Sequence, residues 1–331
     1  MKNIINRKNL TKLAVAVAIW AVIALLMTTG IMSRSLQSLT IKICYYVVLT
    51  LSLDLIVGYL GDLSLGHAAF YAVGGYAGCA FAVYVDMPFI PKFIISLIIG
   101  GAAAAIVGFL ISRAIIKLRG DYLAIVTLAF GEFIRSFVKI IPGLGGTKGL
   151  IGIPGYPGRL AGFTLSYIVV LLVIIAVHNF TKSRAGRAVT AIRDNSIAVE
   201  SVGIDIKNMK VLVFTISSFM AGMAGVLFGI YKTTVSPTDF TYNLSIEVLV
   251  MVVLGGMGSI KGSVIASVVI VALPELLRGA SDYRMLIYAV ALIAMMMFKS
   301  NPVLMKYAER LGGSIDSLRK SVTKKSGGES K

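Results

Sequence analysis

The residues best able to do chemistry are ionisable groups set inside long apolar stretches. Glu132 and Arg135 are three residues apart, a spacing that places both on one face of a helix and allows them to pair. Asp54 and Glu247 are single carboxylates in similar surroundings. Ionisable residues inside a membrane are costly and often functional, although some form structural ion pairs. Both interpretations stay open for these four residues.

Polar residues also interrupt the apolar pattern in a glycine-rich segment, Gly58–His67 (GYLGDLSLGH). Irregular backbone at membrane depth leaves amide and carbonyl groups without partners, which is expensive unless protein covers the segment or it lines a wet cavity. A second break, Gly255–Gly262 (GGMGSIKG), lies in the other half of the chain. Paired breaks of this kind indicate a transport pathway built from an internal repeat, which we expect to be inverted.

The predicted pathway residues are the polar and glycine positions of the two breaks and one intramembrane carboxylate: Gly58, Gly61, Ser64, Gly66, His67, Glu132, Gly255, Gly256, Gly258 and Ser259. The alternative is that each break is an interhelical turn whose glycines permit close packing. His67 would then be a buried polar residue with a hydrogen-bond partner. Elsewhere, Gly74 with Gly78 and Gly225 with Gly229 have the spacing of close helix crossings.

A long polar loop, residues 181–210, is predicted to contain a short helix. Asn195 or Ser196 can cap its beginning, and Gly203 can end it in the left-handed conformation. Such a helix is too short to be stable alone, so we expect it to dock into a partner protein; the alternative is that it lies on lipid. Its apolar contacts would come from Ala191, Ile192, Ile197, Ala198 and Val202. The residues predicted for this coupling loop are Arg187, Ala188, Ile192, Arg193, Asp194, Ala198 and Gly203.

Motifs for nucleotide hydrolysis, metal binding and nucleophilic catalysis are absent from the sequence. No GxxxxGK[ST] phosphate loop, HExxH or GxSxG occurs. The two cysteines, Cys44 and Cys79, lie inside apolar runs and cannot form a zinc site. We therefore expect no catalytic residue, cofactor or metal, and any ATP chemistry has to come from another subunit.

Composition defines the class of protein that positions these residues. Of 331 residues, 57% are apolar and 14% are charged, compared with about 45–50% and about 25% in soluble domains. The sequence therefore predicts an all-α polytopic membrane protein. Its expected spans are Leu13–Ile31, Ile41–Val57, Ala68–Val85, Phe93–Ile116, Tyr122–Val138, Leu165–Phe180, Val211–Ile230 and Tyr283–Phe298. The stretch Leu244–Leu276 adds two short spans or a re-entrant pair, which gives ten or eight spans.

The net charge of +17 follows from the distribution of basic residues between the two sides of the membrane. Lys and Arg concentrate in residues 1–12, 117–121, 181–210 and the segment after Phe298, which places both termini in the cytoplasm. The chain is thus divided into a cytoplasmic N-terminus (1–12), a transmembrane domain (13–300) and a basic tail (301–331) beside anionic lipid. The first apolar run is expected to be an uncleaved span. Nucleic acid is not an expected partner.

Four collinear stretches resemble one family of membrane proteins. Val57–Phe70 (VGYLGDLSLGHAAF) is similar to the signature of LivM-type permeases, the membrane subunits of ABC importers for branched-chain and other hydrophobic amino acids. Leu118–Arg135, Gly186–Gly203 and Leu254–Gly262 agree with the same family. The sister LivH-type subunit differs around its equivalent of Ser64–His67, which favours LivM. Urea and amide permeases belong to the same superfamily and are the alternative cargo class.

The resemblance implies a heterodimer with a LivH-like permease, two LivG/LivF-like ATPases and a periplasmic or lipid-anchored binding protein, in the bacterial inner membrane. It also implies that Ala198 and Gly203 match the alanine and glycine of the "EAA" loop, which seats on the ATPase. Ile197 stands where that loop has its glutamate, and Asp62 stands where the family more often has glutamine. ATP-driven movement of the ATPases would then alternate access to the pathway.

Two other classes of protein compete with this interpretation. A secondary transporter or channel that works alone would use Glu132, Arg135 or Asp54 for ion coupling and would not need the cytoplasmic loop. A membrane-embedded enzyme would need a catalytic or metal cluster, which the sequence lacks.

Overall fold

The computed structural model describes residues 7–276, except 31 and 119, together with the single residues 290 and 293. It separates into two compact units, Met1–Ala272 and Leu273–Lys331. Predictions for the first six residues, the span Tyr283–Phe298 and the tail 301–331 lie outside the described residues.

Helices account for most of the described chain. In order they are α1 (Arg7–Thr28), α2 (Arg34–Asp54), α3 (His67–Tyr84), α4 (Phe89–Ile115), α5 (Asp121–Ile140), α6 (Arg159–Lys182), α7 (Arg184–Asp194), α8 (Ser196–Ser201), α9 (Ile206–Lys232), α10 (Tyr242–Gly255) and α11 (Ile260–Leu276). Two short strands, β1 (Leu150–Ile151) and β2 (Thr234–Val235), pair antiparallel. A helix therefore lies at every predicted span within the described residues.

Five of the described helices are long and apolar enough to cross a membrane: Arg34–Leu60, Phe89–Ile115, Arg159–Lys182, Ile206–Lys232 and Pro237–Gly255. The expectation of an all-α polytopic membrane protein is thus confirmed. The total of eight or ten spans, the inverted repeat and the side on which the termini lie stay predictions.

Small residues bring α3, α4 and α9 together at the centre of the first unit. A Cβ on Gly74 would collide with the backbone of Gly222, and one on Gly100 would lie 2.6 Å from the carbonyl oxygen of Gly74. Gly225 approaches Tyr71 on α3 in the same way. Without side chains at these positions the backbones can approach closely, as packing inside a membrane requires. The close crossing predicted for Gly74 and Gly225 is confirmed.

The helix α2 is the most enclosed element. In its most apolar window 89% of residues are buried, compared with 33% in α4. Apolar side chains of α4 such as Ile98, Ile106 and Leu110 are instead more than half exposed, as expected for a surface that faces lipid or a partner subunit. The residues that directly follow α2, Leu55–Leu60, are likewise buried by the chain itself, except Tyr59.

The helices α2 and α10 run side by side in the same direction. Their contacts advance together along both helices: Tyr46 to Glu247 (3.5 Å), Thr50 to Met251 (3.3 Å) and Asp54 to Gly258 (2.9 Å). The chain therefore breaks at the same level after each helix. Inverted repeats relate helices of opposite direction, so these two helices are not inverted equivalents of each other.

Substitution of Gly74 by leucine tests the central packing. The added side chain has to push α3 away from α9, and we expect the free energy of unfolding to fall by about 1–3 kcal/mol. Thermal unfolding of the purified protein in detergent measures the change. Gly143→Ala is the matched control, because a Cβ at Gly143 has no heavy atom within 4 Å; it should stay within about 0.5 kcal/mol of wild type. Equal stability of both variants would contradict the assigned packing.

Candidate functional site

The first break begins with a change of helix type. Residues Leu55–Leu60 continue α2 as a π-helix, and Gly61 ends it with φ of +82°. The sequence predicted irregular backbone from Gly58 onward, and this is wrong for the first three residues, because wide π turns keep Gly58 helical. The irregular part is limited to residues 61–66, and α3 begins at His67. Single π turns inside helices occur frequently at functional sites.

The second break is a tight glycine turn between α10 and α11. Gly256 and Gly258 have φ of +95° and +79°, a region that glycine adopts without strain. Gly255 packs so closely on Gly262 that neither position has room for a Cβ. The helix α11 contains 17 residues, fewer than the roughly 20 residues that span a bilayer. The helix α10 contains 14 residues and reaches 19 only together with the turn that precedes it from Pro237.

The two breaks meet at the carboxylate of Asp54. Its Oδ1 accepts a hydrogen bond from the backbone N–H of Gly258 (2.9 Å), and its Oδ2 accepts one from the Ser263 hydroxyl (3.3 Å). A Cβ on Gly58 would collide with the Gly258 nitrogen. Asp54 is fully buried, so its carboxylate compensates an amide that the second turn leaves without a helical partner.

Other side chains cover the irregular part of the first break. Thr127 of α5 accepts from the N–H of Leu65 (3.0 Å), and Ser245 of α10 accepts from the N–H of Ala68 (3.0 Å). These hydroxyls provide partners for amides at the beginning of α3, where the helix supplies none. The break is therefore stabilised by α5 and α10.

His67 is buried and hydrogen-bonded to Ser52 of α2. The Ser52 hydroxyl donates to the Leu49 carbonyl (2.7 Å) and lies 2.7 Å from His67 Nε2. The predicted pathway residues differ in exposure: Gly58, Ser64, Gly66 and His67 are buried, Glu132, Gly255, Gly256 and Gly258 are intermediate, and Gly61 and Ser259 are exposed.

The loop 181–210 forms two helices. The Asn195 side chain caps α8 by accepting from Ala198 N (3.1 Å), and Gly203 follows with φ of +83°, as the sequence predicted. The helix α7 was not predicted, although Ser183 caps it in the same way, through Gly186 N (3.1 Å).

The expected apolar contact surface of this loop needs a correction. Ile192 is 5% exposed and packs within the chain, because α7 turns its apolar face inward. Ile197 and Val202 remain 78% and 79% exposed, and Ala198 is exposed beside them. Among the remaining predicted loop residues, Arg187 donates to the Lys182 carbonyl, Asp194 pairs with Arg193, and Ala188 is of intermediate exposure.

Two cations of this loop contact the first break. Arg193 Nη1 donates to the Gly58 carbonyl at 2.7 Å, and Lys210 Nζ forms an ion pair with Asp62 at 2.6 Å. Neither Lys210 nor Asp62 was selected from the sequence. The available signal was a single acidic residue in a break beside a strongly basic loop. The structure therefore joins the two predicted regions that the sequence treated separately.

The charges that were predicted to lie inside the membrane are paired or hydrogen-bonded. Glu132 and Arg135 form the predicted i,i+3 pair on α5, with Oε2 and Nη2 2.6 Å apart. Glu247 accepts from the Tyr46 hydroxyl at 3.5 Å. Within the described residues no group of three His, Cys, Asp or Glu side chains could hold a metal ion.

Substitution of Asp54 tests the junction of the two breaks. Asp54→Ala leaves the Gly258 amide buried without an acceptor, and we expect a loss of about 1–3 kcal/mol in stability. Asp54→Asn keeps one acceptor oxygen and should therefore lose less stability than Asp54→Ala. Thermal unfolding in detergent compares the two variants with wild type. An Ala variant as stable as the Asn variant would show that this carboxylate does not hold the turn.

Comparison with known proteins identifies the family. The family described as "branched-chain amino acid transport system / permease component" matches residues 35–299. The chain is 33% identical over 303 residues to the high-affinity branched-chain amino acid transport system permease protein LivM of Escherichia coli K12, covering 82% of this chain and 70% of that protein. The LivM of Salmonella typhimurium LT2 is also 33% identical, over 305 residues with the same coverage.

The sister permease is less similar. LivH of Escherichia coli K12 is 22% identical over 281 residues, covering 78% of this chain and 91% of that protein. No solved structure matches the chain. The resemblance to LivM-type permeases is confirmed, and the chain belongs to the family of permease components of branched-chain amino acid transport systems.

Proposed function

We propose that this protein is the LivM-type subunit of an ABC importer for branched-chain amino acids. It forms one half of the translocation pathway, and a LivH-like permease forms the other. Two LivG/LivF-like ATPases bind at the cytoplasmic face, and a periplasmic or lipid-anchored binding protein delivers the cargo. The complex lies in a bacterial inner membrane with both termini of this chain in the cytoplasm. The names of the similar permeases support the cargo class.

One observation carries the coupling part of this proposal. The helix α8 contains six residues, yet it presents Ile197 and, just beyond its end, Val202 almost fully to solvent. Exposed aliphatic side chains on a short helix are stabilised when a partner covers them, by about 25 cal/mol for each Å² of apolar surface buried. A groove on an ATPase subunit is the proposed partner for this apolar surface, defined here as Ile197, Ala198 and Val202.

The pathway part of the proposal depends on the two breaks. The irregular backbone of the first break is covered by α5 and α10, so a small shift between these helices would expose glycine backbone and the polar groups of Ser64 and His67. Polar backbone inside a membrane is stable only beside protein or water. Movement at the breaks is therefore the proposed means by which the pathway opens to one side at a time.

Substitution of Val202 by aspartate in the assembled importer tests the apolar surface. A charge there would have to be desolvated in the ATPase groove. We therefore expect the free energy of binding to the ATPase to weaken by at least about 2 kcal/mol, which is roughly a thirtyfold loss of affinity. Co-purification of the ATPase subunits and ATP-dependent leucine uptake measure the effect. Val202→Ile is the matched control and should keep both the co-purification and the uptake. Wild-type uptake and retention in the aspartate variant would refute docking at this surface.

Cysteine labelling tests the pathway. Cys44 and Cys79 are buried and should give little background with a membrane-permeant maleimide. We expect Ser64→Cys to be unreactive without ATP and cargo, and to react during turnover, because Ser64 is fully buried in this arrangement. Ser259→Cys, at an exposed position, should react in both conditions. A Ser64→Cys variant that stays inert during turnover would remove this position from the pathway.

Uptake by proteoliposomes separates the competing classes. The complete complex should accumulate leucine only with ATP and its binding protein, whereas the isolated chain should accumulate nothing. Accumulation by the chain alone would indicate a secondary transporter. ATP-dependent accumulation of urea or an amide, and not of leucine, by the complete complex would indicate the alternative cargo class.

A further inference from the structure

The cytoplasmic loop holds the first break at two points, one before α8 and one after it. Arg193, near the end of α7, contacts Gly58, and Lys210, in the second turn of α9, contacts Asp62. Only residues 58–62 of the break take part in these contacts. The helix α8, which carries the exposed apolar surface, therefore lies between two attachments to the same five residues.

The attachment through Arg193 requires close approach. A Cβ on Gly61 would lie 2.6 Å from Arg193 Cγ, so the stem of the arginine packs against a position that only glycine can occupy. The guanidinium then reaches the Gly58 carbonyl in the π-helix at 2.7 Å. The same Nη1 lies 3.3 Å from the Cβ position of Gly258. The arginine head group is thus placed where the two breaks meet.

The attachment through Lys210 is a shielded ion pair. Its Nζ lies 2.9 Å and 2.6 Å from the two carboxylate oxygens of Asp62. The two side chains are only 12% and 13% exposed, which weakens screening by solvent and salt in comparison with surface pairs. Lys210 belongs to α9, the helix that crosses α3 at the glycine contacts. The pair therefore links the break to a long membrane-spanning helix.

We propose that Arg193 and Lys210 are positioning residues that transmit movement of α8 to the first break. The inference rests on the proposed docking of α8 to an ATPase. Both attachments are charge-assisted hydrogen bonds, which are short, directional and stronger than neutral ones. Displacement of α8 by its partner pulls on the break through these two contacts, and the shared position of Arg193 beside Gly258 extends the movement to the second break.

Substitution of Arg193 by methionine tests the first attachment. Methionine keeps the packing stem but loses the donor to Gly58. In the assembled, reconstituted importer we expect the amount of leucine moved per ATP hydrolysed to fall at least about tenfold, which corresponds to the loss of one charge-assisted hydrogen bond between two states. The ATPase subunits should be retained. Arg184→Met, on the same helix, is the matched control and should change the ratio less than about twofold.

A charge exchange tests the second attachment. Asp62→Lys and Lys210→Asp should each lower the same ratio because each places like charges side by side. The double variant restores an opposite pair and should recover a large part of the wild-type ratio. A purely structural role would change the yield or unfolding temperature of the complex without changing the ratio of transport to hydrolysis.

The outcomes separate this inference from the proposed function. A wild-type complex that requires ATP, together with an Arg193→Met complex that transports normally, would overturn the transmission role alone. Uptake by the wild-type complex without ATP would overturn the proposed function itself. If Arg193→Met prevents assembly, the charge exchange decides: recovery in the double variant supports the inference, and failure to recover contradicts it.

Discussion

The structure depends on one constraint, which is that buried backbone amides at the two breaks need hydrogen-bond partners from the protein. Asp54 meets this constraint for the second break by accepting from the Gly258 amide. Thr127 and Ser245 meet it for the first break. These partners come from α2, α5 and α10, so the breaks hold together helices that are far apart in the sequence. A carboxylate of α2 thereby contacts both the turn between α10 and α11 and the beginning of α11.

Glycine has two separate roles in this molecule. In the helices α3, α4 and α9 it removes side-chain volume, so that Gly74 and Gly222 can meet backbone to backbone. In the breaks it allows backbone angles that other residues avoid, as at Gly61 and Gly256. The first role builds the rigid centre, and the second places irregular segments beside that centre. The proposed movement at the breaks therefore does not require the crossing of α3 and α9 to change.

The sequence predicted the elements better than their contacts. Spans follow from apolar length, and the Asn195 cap and the left-handed Gly203 follow from local backbone chemistry, so both could be predicted from short windows. The π-helix after Asp54 could not, because the contacts beside it, such as that of Asp54 with Gly258, join residues some 200 positions apart. The inward turn of Ile192 was missed for a similar reason. An amphipathic face shows that a surface is buried, but it does not show whether the same chain or a partner buries it.

The junction at Asp54 also has a consequence for biosynthesis. The ribosome adds Asp54 204 residues before it adds Gly258, whose amide this carboxylate binds. At about 5–20 residues per second, synthesis of the intervening segment takes on the order of 10–40 s. During this interval α2 has already left the ribosome, whereas the turn that satisfies its acidic end does not yet exist. The final packing of α2 is thus a late step of assembly. A chain whose synthesis ends before α10 would lack the amide that pairs with Asp54 at the end of its most enclosed helix.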